Sequence, residues 1–161
     1  MLEKILGDES LSEGFQLLEA RKYERARDYF EKRLNQNALA YYGMATSLFR
    51  KSVDEGDFNE DLNREIIGHY EKSKELDGSS TDTMLMLGMA YERRINILFY
   101  NFRKHASVKT RDEIGECIEK AKESLEEAKK LNENYQSIVD AEIKTINRQG
   151  EIFRRLRWKK A

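Results

Sequence analysis

The residues best equipped for chemistry in this chain gather near its C-terminus. Between positions 144 and 160 lie Lys144, Arg148, Arg154, Arg155, Arg157, Lys159 and Lys160, with Glu151 the single acid among them and Trp158 the one tryptophan of the chain. Cations in this density neutralise phosphates, and an indole stacks on a base or lies at a membrane surface. They equally offset the negative end of a helix dipole and keep a terminal helix soluble. A smaller basic group, Arg103, Lys104, His105, Lys109 and Arg111, falls at the expected tip of a long helical hairpin and reads as a solvated turn or a contact surface. Groups for bond-making chemistry are sparse. His69 and His105 are far apart, and neither has a second histidine or cysteine at the spacing of a helical metal site. Cys117 sits between Glu116 and Ile118, and a neighbouring acid disfavours a thiolate. There is no glycine-rich phosphate loop and no Glu-x-x-His pair. The expectation is a non-enzyme with no catalytic residue, no metal site and no cofactor.

The elements that must position these residues follow from composition. The 161 residues include no proline, and 37% are charged. That balance favours helix, and few runs alternate with the period of a strand. A chain of this length buries about 70% of its unfolded surface on folding, enough for one domain without disulfides or metal. A lone cysteine cannot form an internal bridge and suits a reducing compartment. The start, Met1-Leu2-Glu3-Lys4-Ile5-Leu6, is too charged for a secretory signal, and apolar runs such as Ile97-Leu98-Phe99-Tyr100 fall far below a membrane span. The expectation is a soluble cytoplasmic protein. The net charge is -1, but residues 1–80 carry 12 basic and 17 acidic side chains while residues 81–161 carry 17 and 13.

Seven helices are expected. The first starts near Ser10, where Ser10 and Glu13 have capping-box spacing, and presents Leu11, Phe15 and Leu18. The second runs from about Glu24 to Leu34 with Ala26, Tyr29, Phe30 and Leu34 inward. The third opens near Asn37 with Leu39, Tyr42, Gly43, Thr46 and Phe49 inward, and the polar turn Asp54-Glu55-Gly56-Asp57 ends it. The fourth spans roughly Glu60 to Leu76 with Leu62, Ile66, Ile67, Tyr70 and Ser73 inward, and the fifth about Asp82 to His105. The sixth begins at a second capping box, Thr110 to Glu113, and runs to about Leu131. The seventh covers about Tyr135 to Trp158, with Ile138, Val139, Ile143, Ile146, Phe153 and Leu156 inward.

A two-helix pattern recurs through these elements. Its clearest copy places Met84, Leu87, Gly88 and Tyr91 on one helix and Ala121, Leu125 and Ala128 on the next. Gly88 removes a side chain where two helices approach, and Ala121 and Ala128 do the same on the partner. An earlier copy has Gly14, Leu17, Ala26 and Phe30, and the middle one Leu39, Tyr42, Gly43, Tyr70 and Ser73. This pattern resembles the tetratricopeptide repeat, a helix–turn–helix unit of about 34 residues. Relative to that unit the middle copy carries about 11 extra residues and the third about 21, and the usual proline between repeats is missing. The resemblance implies an all-α, right-handed stack of three helical hairpins, at about 7–35, 36–79 and 81–134, with a capping helix at 135–160, all in a single domain.

The resemblance also implies a concave groove lined by the first helix of each pair. By position this lining is Leu11, Phe15 and Leu18, then Ala40, Met44, Ser47 and Leu48, then Leu85, Met89, Glu92 and Arg93. Such a groove would hold an apolar peptide or helix from a partner protein, methionines adapting to its shape. Repeats that clamp a chaperone's C-terminal carboxylate place cations along the groove. The matching positions here, Leu11, Phe15, Tyr41, Asp82 and Met86, offer almost none, so that use is not expected. The implied function is a protein-binding adaptor or chaperone-like module. Its alternatives are a nucleic-acid-associated protein using Arg148, Arg154, Arg155, Arg157, Trp158, Lys159 and Lys160, and a self-associating protein that pairs with a second copy as a homodimer.

Overall fold

The computed structural model describes residues 2–102 and 108–155, and among them every regular element is helical. The helices are α1 (Leu2–Glu19), α2 (Tyr23–Glu31), α3 (Ala38–Asp54), α4 (Glu60–Leu76), α5 (Thr81–Phe102), α6 (Val108–Leu131) and α7 (Gln136–Arg155), with a short 3-10 turn at Glu133–Tyr135. Boundaries have local causes. Arg21 adopts φ 57 after α1, and Lys22 N–H bonds Leu17 O while Arg21 N–H bonds Leu18 O, which satisfies the last carbonyls of the helix. The extended Asn37 caps α3, its side chain accepting from the N–H groups of Leu39 and Ala40. Gly56, at φ 63, follows the end of α3. The Asn59 carboxamide accepts from Leu62 N–H to open α4, and the Ser80 hydroxyl accepts from Thr83 N–H to open α5.

Two expected helix starts are corrected. α1 runs through Ser10 from Leu2, so Ser10 is not an N-cap. α6 begins at Val108 rather than at a Thr110–Glu113 box, and Glu113 reaches Arg94 on α5 instead. In both cases the capping pattern lies within a helix that continues past it.

The chain clusters into two compact units, residues 1–57 with 64–78, and residues 58–63 with 79–161. In the first, α2 packs antiparallel on α1 and α3, and α1 lies alongside α3. Phe30 is fully buried where all three meet. A β-carbon on Gly14 would come within 2.6 Å of the Phe30 ring, and one on Gly43 within 2.4 Å, so both glycines are there to admit the ring. Phe15 meets Phe30 edge-on at 4.9 Å, and Tyr42 links Phe15 to the fully buried Tyr70. The Tyr70 hydroxyl pairs with Thr46 Oγ1 at 2.9 Å, and Ser73 Oγ donates to Ala38 O at 2.8 Å, which fixes the antiparallel register of α4 on α3. Burial pushes the Tyr70 hydroxyl well above its ordinary pKa, against the Thr46 hydrogen bond, so it stays protonated. Peripheral ion pairs, Lys51 to Glu24 at 2.7 Å and Arg50 to Glu19 at 3.3 Å, lie at the surface and add little.

In the second unit α5 and α6 form a long antiparallel hairpin. Gly88 faces Leu125 as the pattern predicts: an added β-carbon would lie 2.6 Å from Leu125 Cγ and 3.3 Å from the Ala121 carbonyl. Ala121, Leu125 and Ala128 are fully buried beneath it. α7 returns antiparallel to α6, Lys129 pairing with Asp140 at 3.0 Å, and buries Val139, Ile146 and Gly150. Two residues expected inside are outside. Leu39 and Ile138 are both exposed, because each lies one residue from the buried row, at Ala40 and Val139 respectively.

Candidate functional site

Arg93 and Arg94 are adjacent and have opposite fates. Arg94 is buried on the inner side of α5, pairs with Glu113 of α6, and reaches the Asn63 carboxamide, which itself donates to Ala90 O at 3.3 Å. A buried pair of this kind costs several kcal/mol when one partner is removed, so Arg94 is a structural cation. Arg93 lies one residue before it, about 100° round the helix, and its guanidinium sits 5.3 Å from the Phe58 ring centroid. Phe58 stacks on Tyr100, with centroids 5.1 Å apart and planes at 24°. Tyr100 is seven residues beyond Arg93 and so on the same face of α5. Asn101 holds this corner by donating to Glu60 at 2.7 Å. Phe58 is 39% exposed and Tyr100 60%, leaving an aromatic pair open on one surface with the half-buried Arg93 against it.

Along the same helix, α5 meets α7 through polar groups. Tyr135 donates to Asp82 at 2.8 Å, just before α7 begins, and Gln149 donates to Asn96 at 2.6 Å. Between them Glu92 hydrogen-bonds Glu142, one carboxyl carrying the shared proton. Burial, then this bond and the charge of Glu142, push Glu92 up to about 8. The three contacts run in the same direction along both helices, so α7 lies parallel to α5.

The groove residues expected from the pattern divide sharply. Leu11, Leu18, Met44 and Leu48 are buried, as are Ala40 and Ser47, and serve as core. Phe15 is half-buried against the rings of Phe30 and Tyr42. Leu85, Met89, Glu92 and Arg93 are half-buried on α5. Of the basic set, Arg148, Arg154 and Arg155 are exposed on α7. Arg157, Trp158, Lys159 and Lys160 lie outside the described residues, as do Leu156 and Arg103, Lys104 and His105, the residues expected from sequence at a hairpin tip. Phe58, Tyr100 and Glu142 were not anticipated. A phenylalanine placed directly after a polar turn, and a tyrosine seven residues from Arg93, were the available signals for the first two.

Cys117 is buried, and burial raises its thiol to about 11, so it is protonated at neutral pH. His69 lies 3.5 Å from Glu65 and beside the Tyr41 ring. A recess of about 340 Å³ near Arg21, Tyr23 and Lys51 is edged by two local pairs, Lys51 with Glu24 and Tyr23 with Asp54. Among the described residues no three of His, Cys, Asp and Glu are grouped to hold a metal, and no helix is long and apolar enough to cross a membrane. The sequence matches no protein-family model and no curated protein.

Proposed function

We propose that this chain is a tetratricopeptide-like right-handed helical stack that works as a non-enzymatic protein-binding module, with its contact surface on α5. The exposed Phe58–Tyr100 stack with Arg93 against it carries the reading. Aromatic and arginine side chains dominate interface hot spots: the rings bring large contact area at low rotamer cost, and arginine adds charge in a planar donor group. Met89, one turn before Arg93, extends the surface with an adaptable apolar side chain. The stacked-helix reading is supported within each unit by the same packing: a first helix alongside the next first helix, α1 with α3 and α5 with α7, and a second helix antiparallel between them. The glycine contacts at Gly14, Gly43 and Gly88 fall where the repeat pattern needs close approach.

The test is capture from native lysate on immobilised protein, with and without nuclease, comparing wild type with Tyr100→Ala and Met89→Glu. The expected outcome is nuclease-resistant capture of a defined protein that both variants lose while keeping their helical spectrum. Capture that disappears with nuclease and survives both substitutions would assign the function to the basic surface of α7 instead.

A further inference from the structure

A helix that caps a stack is polar on its outer face. α7 is not. Ile138 is 48% exposed and Ile152 57%. With the exposed Thr145 they recur every seven residues and form one row along the helix. The row lies beside Glu142 and Gln149, which face α5, and away from Val139 and Ile146, which are buried. On its outer side runs a second row, Lys144, Arg148, Glu151 and Arg155, all exposed. Among the described residues no carboxylate forms an ion pair with Lys144, Arg148 or Arg155. The face therefore presents two spaced apolar anchors, with three cations and one acid on the outer side and Glu142 on the side toward α5.

We infer that this face of α7 docks an acidic amphipathic helix of a partner protein. Its apolar residues would sit on Ile138 and Ile152, and its carboxylates against Lys144, Arg148 and Arg155. The anchors are about 21 Å apart along the axis, which sets a partner helix of about four turns. Charge complementarity selects this occupant. A second copy docked antiparallel about a two-fold axis at Thr145 would bring Lys144 and Arg148 of both copies together, like charge against like. A phosphate backbone would satisfy the cations but leave both isoleucines against polar groups. The inference adds a second surface to the protein-binding reading and needs no residue of the Phe58–Tyr100 corner.

The experiment is fluorescence anisotropy with a labelled synthetic amphipathic helix, leucines on one face and glutamates on its flanks, beside glutamine-flanked and lysine-flanked versions. The glutamate peptide should bind tightest and lose about tenfold or more in affinity in the Lys144→Glu/Arg148→Glu double variant and as salt is raised. Ile152→Asp should abolish binding, with Ile138→Asp as a second, independent check, and both should keep the wild-type helical spectrum. Tyr100→Ala should leave peptide affinity unchanged. The inference is overturned by a lysine peptide that binds as well, by binding indifferent to Ile138 and Ile152, by a dimer in solution that Ile152→Asp dissociates, or by an oligonucleotide that displaces the peptide. Loss of peptide binding in Tyr100→Ala but not in Ile152→Asp would place the helix on α5, sinking this inference while keeping the protein-binding reading.

Discussion

In the first unit the aromatic side chains turn inward. Phe30 fills the gap that Gly14 and Gly43 leave, Phe15 and Tyr42 continue the cluster, and Tyr70 ends it with its hydroxyl satisfied by Thr46. In the second unit Leu125 takes the place of Phe30 against Gly88, α5 meets α7 through Asp82, Glu92 and Asn96, and two aromatic rings, Phe58 and Tyr100, face outward. The contrast separates two uses of one side-chain type. A ring clamped between glycines defines a helix-packing register. A ring stacked at an exposed corner contributes little to folding and is available to a partner.

The comparison breaks most severely at Phe30. Phe30→Ala should cost about 3–5 kcal/mol, read as a fall in the urea midpoint, because the flanking glycines leave nothing to collapse into the cavity. Tyr100→Ala, an equally large truncation at an exposed ring, should change stability by only about 0.5 kcal/mol. Equal losses at the two positions would end the distinction.

A second contrast lies in the glycines. Gly43→Ala would drive a β-carbon into an aromatic ring already confined by Gly14, whereas Gly88→Ala meets chiefly Leu125, whose side chain has rotatable bonds. Thermal melts should show the larger loss for Gly43→Ala, of about 1–3 kcal/mol, since overpacking outweighs the gain in helix propensity. Gly88→Ala should cost less, and a reversed order would show that α5 and α6 are the more rigid pair.

The third contrast is pH. Glu92 holds its proton more tightly when folded than the ordinary carboxyl does when unfolded. Its contribution to stability is therefore fully present below the ordinary carboxyl range and is lost as pH rises through about 8. Urea melts of the wild type should weaken progressively from the ordinary carboxyl range up to about pH 8 and level off above it. Glu92→Gln keeps a donor toward Glu142 and should flatten that dependence. An unchanged slope in the variant would remove the carboxyl pair as its cause.

Periodicity alone determined that this chain is helical, where most of its helices lie, and which small residues admit a neighbour. Gly14, Gly43, Gly88, Ala121 and Ala128 were legible because close helix approach excludes side chains whatever the rest of the fold does. The α4 boundaries were legible because polar, turn-forming residues flank the apolar row. The sequence could not separate core from surface within an apolar stripe. Leu11, Leu18, Met44 and Leu48 share the spacing of Leu85 and Met89, yet the first four are buried and the last two only partly so. A stripe reports which face of a helix is apolar, and only the neighbouring helices decide how much of that face is covered. Ile138 faces outward for the same reason, as one residue's shift in the buried row turns a side chain to solvent. The aromatic corner of Phe58, Arg93 and Tyr100 and the carboxyl pair of Glu92 and Glu142 depend on contacts across 35 to 50 positions of chain, and folding alone brings those groups together.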